Sequence, residues 1–439
     1  MPTTNVKQIQ ECGVVGAGGA GFPTYQKLKA SAEWILLNAA ECEPLLHKDK
    51  ELLQAEGPAI LNGLEAARQL LGAEKAVVGI KGKYNTVVDG LRPQLNAQTT
   101  LQTLTDSYPS GDEFILVYDC TGRIIPPGDI PLAVGCVVIN VETALNIGRG
   151  QPVTHKYLTV AGAVANPVTI CVPIGTTFEA CIAQAGGVTC EEPFALVGGV
   201  MMGKLCTDFS QIVTKTTGGL IVLPRTHMLY GRYAADWSQI ARIGASACDQ
   251  CSFCTEFCPR YLLGHPIEPH KAMRSLCFNE IGEANVIGTD FCCECNLCTM
   301  IACPEDLDPK NVCTQNKHRR AADGDRWVNA PLTQIRPQLH LANRRVPIGR
   351  LIRKLGLSQF NNLGPLIEPA TPPRRVEIPL QQHIGTPAQP TVTVGDRVAV
   401  GNVIGRPPAD KLGAVIHASI SGRVTDINGS VVIESAGDT

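Results

Sequence analysis

At 439 residues the chain exceeds what one ordinary core holds, since domains run to ~100–200 residues, so it divides into three or four units. Apolar residues at 44% against 18% charged exclude a disordered chain, and a net charge of −2 excludes a globally basic nucleic-acid or membrane binder. The 19 cysteines are unevenly spread, ten of them falling between Cys248 and Cys303.

The N-terminal string MPTTNVKQIQEC lacks the basic and apolar regions of a secretory signal. No apolar run reaches the ~18 to 20 residues of a membrane helix; the nearest, Pro131 to Ile147, is broken by Asn140, Glu142 and Asn146. The expectation is a cytoplasmic chain with no direct membrane insertion, in which clustered thiols hold metal rather than pair as disulfides.

In chain order, the first feature is a glycine-rich loop over Gly13–Lys27, with Gly16, Gly18, Gly19 and Gly21 letting the backbone approach a ligand and Pro23 suited to open a helix. Gly16, Gly18 and Gly21 satisfy G-x-G-x-x-G, but only Cys12 to Val15 precede them as a strand and the next strand follows too soon for a Rossmann turn. A buried strand is expected at Trp34–Leu37, with the polar group Asn38, Glu41 and Glu43 at its C-terminal end, where ligands sit in open α/β sheets. An amphipathic helix over Pro58–Leu71 and a strand over Ala76–Ile80 follow. Tyr108, Gly111, Asp112 and Glu113 lead into an expected strand Phe114–Tyr118, and the apolar run Val134–Ile139 leads to Asn140 and Thr143. Alternating strands and helices indicate an α/β nucleotide-binding domain over 1–150.

Residues 151–232 are β-rich, with strands at Lys156–Gly162 and Val168–Pro173 and a helix over Thr177–Ala185. Within 238–325, Cys248, Cys251, Cys254 and Cys258-Pro259 have the spacing C-x2-C-x2-C-x3-C-P of a 4Fe-4S run. Cys292, Cys295 and Cys298 repeat the triplet, and Cys303-Pro304 follows after a gap of four. In two-cluster proteins the fourth thiolate crosses over, which assigns Cys258 to the second cluster and Cys303 to the first. Cys293 competes with Cys292 as a ligand, and sets of four thiolates also suit tetrahedral zinc. Cys277, Cys313 and the remaining cysteines lack ligand spacing and read as small buried hydrophobes.

Residues 326–375 read as a basic and proline-rich linker, in a stretch carrying Arg319, Arg320, Arg326, Arg336, Arg344, Arg345, Arg350 and Arg353 that is either a dock for an acidic partner or a solvated face. From 376 to 439 short β segments alternate with glycine turns.

The strings GVVGAGGAGFPT, NAAECEP, YPSGDE, GRIIPPGDIPLAVG and NVETALNI resemble the flavin domain shared by the complex I flavoprotein subunit and the Rnf complex C subunit. CTEFCPRYLLGHPIEPHKAMRSLC and CCECNLC are similar to cobalamin reductases of propanediol-utilisation microcompartments, a resemblance spanning essentially the whole chain. It implies a multidomain α/β + β protein: a flavin domain, a β-grasp SLBB domain, a helical ferredoxin-like domain with two 4Fe-4S clusters, and a C-terminal barrel-sandwich module. That module offers Ile416-His417-Ala418-Ser419 instead of a carrier lysine, and so reads as a docking or structural part.

The resemblance places FMN against Gly16, Gly18 and Gly19, with Lys27 near its phosphate and Asn38, Glu41, Tyr108, Gly111, Asp112, Asn140 and Thr143 around it. Phe22, Glu43 and Glu113 match positions receiving NADH. Val15 and Ala17 replace arginines of the complex I subunit. The implied reaction runs from NADH through FMN and the clusters to a corrinoid, reduced from cob(III)alamin to cob(I)alamin. Implied partners are a corrinoid adenosyltransferase or a microcompartment shell protein, with no nucleic acid, and the implied location is inside a microcompartment. No D-x-H-x-x-G signature for corrinoid binding is present. Alternatives are an Rnf-type NADH:ferredoxin subunit, an NADH-recycling shuttle, and a scaffold braced by its clusters.

Overall fold

The computed structural model describes residues 4–278, 283–325 and 335–435; Arg326 of the expected basic linker lies outside them. Four parallel strands, β1 (Trp34–Ala39), β2 (Lys75–Lys81), β3 (Thr99–Leu104) and β4 (Cys136–Asn140), form a sheet in the order β3-β2-β1-β4. Three successive strands build outward in one direction, and the chain then returns to set β4 on the other side of β1. Strand order therefore reverses between β1 and β4, and the crevice at their C-terminal ends is the place for a ligand in such sheets. Asn38 and Asn140 stand opposite each other there.

Helix α1 (Lys48–Leu71) starts ten residues before the expected Pro58, because two helical segments meet at Glu56, whose φ of −124° is non-helical, and Pro58 begins the second. The expected strand Phe114–Tyr118 is instead part of helix α2 (Glu113–Thr121). Asp112 caps it, accepting from the N–H groups of Phe114 and Ile115 at 3.1 and 3.2 Å, and Gly122 ends it at φ 71°. Two good caps override the strand preference of the apolar letters, whose buried face, Leu116 and Val117, packs under the sheet. Helix α3 (Val141–Arg149) crosses α1 so closely that a Cβ on Gly63 would lie 1.9 Å from the Ala144 carbonyl oxygen, and one on Gly148 2.1 Å from that of Ala59. Gly63→Ala must part the two helices; the expected cost is ~1–3 kcal/mol, read as a lower midpoint in urea denaturation, and an unchanged midpoint would contradict this packing.

A second, five-stranded sheet holds β5 (His155–Gly162), β6 (Val168–Pro173), β7 (Pro193–Val197), β8 (Lys204–Cys206) and β9 (Gly219–Pro224) in the order β6-β5-β9-β7-β8. Helix α4 (Phe178–Gln184) is capped by Thr177. Short helical turns carry the cysteine region.

Within the described part of the stretch read as a linker, residues 345–366 are packed against the units on either side. Val346–Pro347 pairs antiparallel with Ser107–Tyr108. Helix α5 (Ile348–Lys354) buries Ile348 and Leu351, Arg345 grips Asp119 at 2.5 Å, and Leu366 bridges Thr169. The bland composition hid an apolar face of alternating Ile and Leu between the charges.

The C-terminal part consists of a four-stranded and a three-stranded sheet, not a closed barrel. Its Val376, Ile378, Ile404, Ile416 and Val431 share one apolar cluster with Ile35, Leu37 and Ile139 of the first sheet. His417 and Ser419 are buried, and the Ser419 hydroxyl donates to the Ile174 carbonyl at 2.6 Å, so the segment in the carrier-lysine position faces inward. The molecule is thus a mixed α/β assembly whose two ends meet.

Candidate active site and thiol pockets

The glycine loop closes on itself: Gly16 N–H donates to Phe22 O at 2.9 Å and Gly21 N–H to Gly16 O at 3.2 Å. Gly18, Gly19 and Ala20 form its exposed crest. Gly19 has a φ of +119°, where a side chain is strained, and a Cβ on Gly18 would sit 3.4 Å from Asn140 Cβ, filling the crevice. Ala17 N–H donates to Thr143 Oγ1 at 3.0 Å. Lys27 Nζ donates to Val138 O at 3.2 Å and to Glu113 at 3.3 Å, while Asn38 Nδ2 donates to Gly111 O at 2.8 Å. Hence Gly16, Gly18, Gly19, Phe22, Lys27, Asn38, Gly111, Glu113, Asn140 and Thr143 gather at the reversal point. A glycine cradle beside one half-buried ammonium fits a flavin bearing a phosphate.

Beneath the loop lies a charge network that sequence reasoning missed. The Glu142 carboxylate, 1% exposed, accepts from Lys48 Nζ at 2.9 Å, from Lys156 Nζ and from Tyr157 N–H at 3.1 Å. Lys156 also donates to Ala17 O at 3.0 Å, so a residue of the second sheet holds the loop from below. Burial opposes ionisation of Glu142, but Lys156 and Lys48 beside it keep its pKa below the usual 4.5. A lone lysine in the otherwise apolar strand β5 was the available signal. Nearby, burial and then the Asp49 charge push Glu41 up to about 8, leaving it mostly neutral at pH 7.

Three of the expected contacts, Glu43, Tyr108 and Asp112, have hydrogen-bond partners in other units. Glu43 accepts from the N–H groups of Met201 and Met202, each at 2.9 Å, and lies against Gly199, where a Cβ would come within 2.4 Å of its carboxyl carbon. Tyr108 is buried, and its hydroxyl donates to Cys295 O at 2.8 Å. Asp112, besides capping α2, pairs with Arg260, the Nη2 bond being 3.0 Å. All three tie the first unit to its neighbours.

The thiols ring two pockets. One is lined by Cys248, Cys251, Cys254 and Cys303, the other by Cys258, Cys292, Cys293, Cys295, Cys298 and Cys313. The four-residue gap before Cys303 is absorbed as one π-helical turn over Cys298–Ala302. Cys313, read as packing, lies buried beside Cys292 on the helix Pro309–Ala322, beyond the end of the cysteine motif. Among the described residues no three His, Cys, Asp or Glu side chains converge tightly enough for a single ion. The second pocket adjoins the flavin unit through Tyr108, and Asn296 Nδ2 donates to Met201 O at 3.1 Å; the first carries the exposed Cys251.

Four family models match in chain order: the Nuo51 FMN-binding domain over 9–149, the SLBB domain over 157–205, a 4Fe-4S dicluster domain over 247–308 and the RnfC barrel sandwich hybrid domain over 363–438. The chain is 41% identical over 428 residues to the cobalamin reductase PduS of Salmonella typhimurium, covering 96% of this chain and 94% of that one. The chain belongs to the PduS family. FMN and iron-sulfur clusters are the cofactors of this PduS-family oxidoreductase, since the FMN-binding match covers the glycine loop and the dicluster match covers the pocket cysteines from Cys248 to Cys303. The C subunit of the Na+-translocating ferredoxin:NAD+ oxidoreductase complex of Acetobacterium woodii is 34% identical over 270 residues, 58% of each chain. An NAD+-reducing NiFe hydrogenase in the H2-reduced state is 18% identical with a TM-score of 0.50, over 75% of this chain and 64% of that one, and shows the fold alone. No described helix of the PduS-family chain is long and apolar enough to cross a membrane.

Proposed function

We propose that the chain is an NADH-dependent cobalamin reductase that brings a corrinoid from cob(III)alamin to cob(I)alamin for adenosylcobalamin regeneration. FMN supplies a two-electron acceptor for hydride that can release electrons singly, the form in which iron-sulfur clusters carry them. What supports the reading above all is the Tyr108 hydrogen bond to Cys295, which sets the second thiol pocket directly against the flavin unit.

In this reading Gly16, Gly18 and Gly19 back the flavin, Lys27 meets its phosphate, and Asn38, Gly111, Asn140 and Thr143 line its ring. Phe22 and Glu113 stand on the nicotinamide side. A neutral Glu41 adds no charge against the nucleotide's phosphates. Cys248, Cys251, Cys254 and Cys303 hold one cluster; Cys258, Cys295 and Cys298 with Cys292 or Cys293 hold the other. The second pocket is the entry for electrons and the first, with Cys251 exposed, is the exit. The domain division 1–150, 151–232, 238–325 and 376–439 follows, with a β-grasp second unit and a barrel-sandwich last one, joined by a strap rather than a free linker. A corrinoid adenosyltransferase is the proposed receiver and a microcompartment the proposed setting.

Anaerobic mixing of the reconstituted protein with NADH should bleach the flavin and then reduce aquacobalamin, faster with an adenosyltransferase present. Flavin that binds and stays oxidised under NADH would end the enzyme reading. Flavin that bleaches while only ferredoxin is reduced would replace the corrinoid as acceptor.

A further inference from the structure

Arg260 is 7% exposed and follows the proposed ligand Cys258 by two residues. Its guanidinium lies over the Phe114 ring, 3.7 Å from the centroid, and pairs through two hydrogen bonds with Asp112. Cys293, on the wall of the second pocket, lies within its electrostatic reach. Phe114 and Asp112 both belong to the flavin unit. An ion pair with little access to water seldom adds net stability over an apolar pair of the same volume, so its place between flavin unit and cluster calls for another reason.

We propose that Arg260 sets the reduction potential of the cluster in the second pocket, with Asp112 as the counter-charge that moderates it. An electron arriving on that cluster adds a negative charge beside a cation that water does not screen, which favours the reduced state. Asp112 opposes this in part. The cluster nearest the flavin is thereby held high enough to accept from it, and the balance of two side chains from different units decides by how much. The inference rests on the ligand assignment above.

The two charges give opposite signs, which a merely structural role does not. In an EPR-monitored redox titration of the reconstituted protein, Arg260→Gln should lower the potential of one cluster, changing its reduced-to-oxidised ratio at fixed solution potential about tenfold, or ~59 mV for one electron. Asp112→Asn should raise the same potential, and Asn still caps α2. Arg260→Lys, which keeps the charge, should stay near the wild type, and the other cluster should not move. Two shifts of the same sign, or none, would overturn the proposal. If Arg260→Gln does not load iron, the sign of the shift in Asp112→Asn decides alone. Loss of a cluster signal from the wild type would instead indict the ligand assignment.

Discussion

With Cys295 replaced by serine, NADH still bleaches the flavin, but reduction of the acceptor falls on the order of 100-fold. Cys295 is 7% exposed on the wall of the second pocket, and its own carbonyl receives the Tyr108 hydroxyl, so it is the thiol tied most directly to the flavin unit. Serine nearly keeps the volume but offers a far poorer ligand, and since losing a group that merely orients a ligand already costs about 10–100-fold in affinity or activity, losing the ligand reaches at least the upper end. Cys251→Ser acts at the exit pocket and gives the same split. Cys277, expected as a small buried hydrophobe, is instead exposed at the end of a short helical turn and lines neither pocket, so Cys277→Ser leaves both rates unchanged. Stopped-flow flavin absorbance beside acceptor reduction separates the two steps. Acceptor reduction that survives Cys295→Ser would mean that electrons bypass the second pocket.

Glu142→Gln destabilises the protein by ~3–5 kcal/mol at neutral pH, because it leaves the Lys48 and Lys156 ammonium groups buried without their shared carboxylate. Its effect depends on pH in a defined sense. The folded-state pKa of Glu142 lies below the unfolded value of about 4.5, so its contribution is fully present above that value and is lost as pH falls through the folded one. Urea denaturation at neutral pH should therefore show a wide gap between wild type and variant, and the gap should close as pH drops below 4.5. A gap independent of pH would sink the account. Since Lys156 also holds the Ala17 carbonyl, the variant should retain FMN less tightly, read by flavin fluorescence.

The cysteine runs were legible because their chemistry is local: a triplet with two-residue gaps wraps one cluster whatever surrounds it. The same holds for the glycine crest, where the absence of side chains is itself the signal, and for Asn140 and Thr143 directly after an apolar strand. The helix over Glu113–Thr121 was misread because strand-forming letters outweighed a cap that only one aspartate announces. Cys313 is buried as its reading as a packing residue expected, and its place beside Cys292 was not legible because it carries no spacing to the other thiols and reaches them only through the packing of its helix.

What the sequence by itself determined was the chemistry: a glycine cradle for a flavin, two thiolate sets, and no helix for a membrane in the described residues. What only the tertiary structure decided was how those parts are wired. Asp112 meets Arg260 across 148 positions, Tyr108 meets Cys295 across 187, and Glu43 meets Met201 across 158. A carboxylate's letter does not say whether it faces a ligand or a neighbouring unit. That choice is made by which surfaces dock, because a buried polar group takes whichever partner the docking brings within reach.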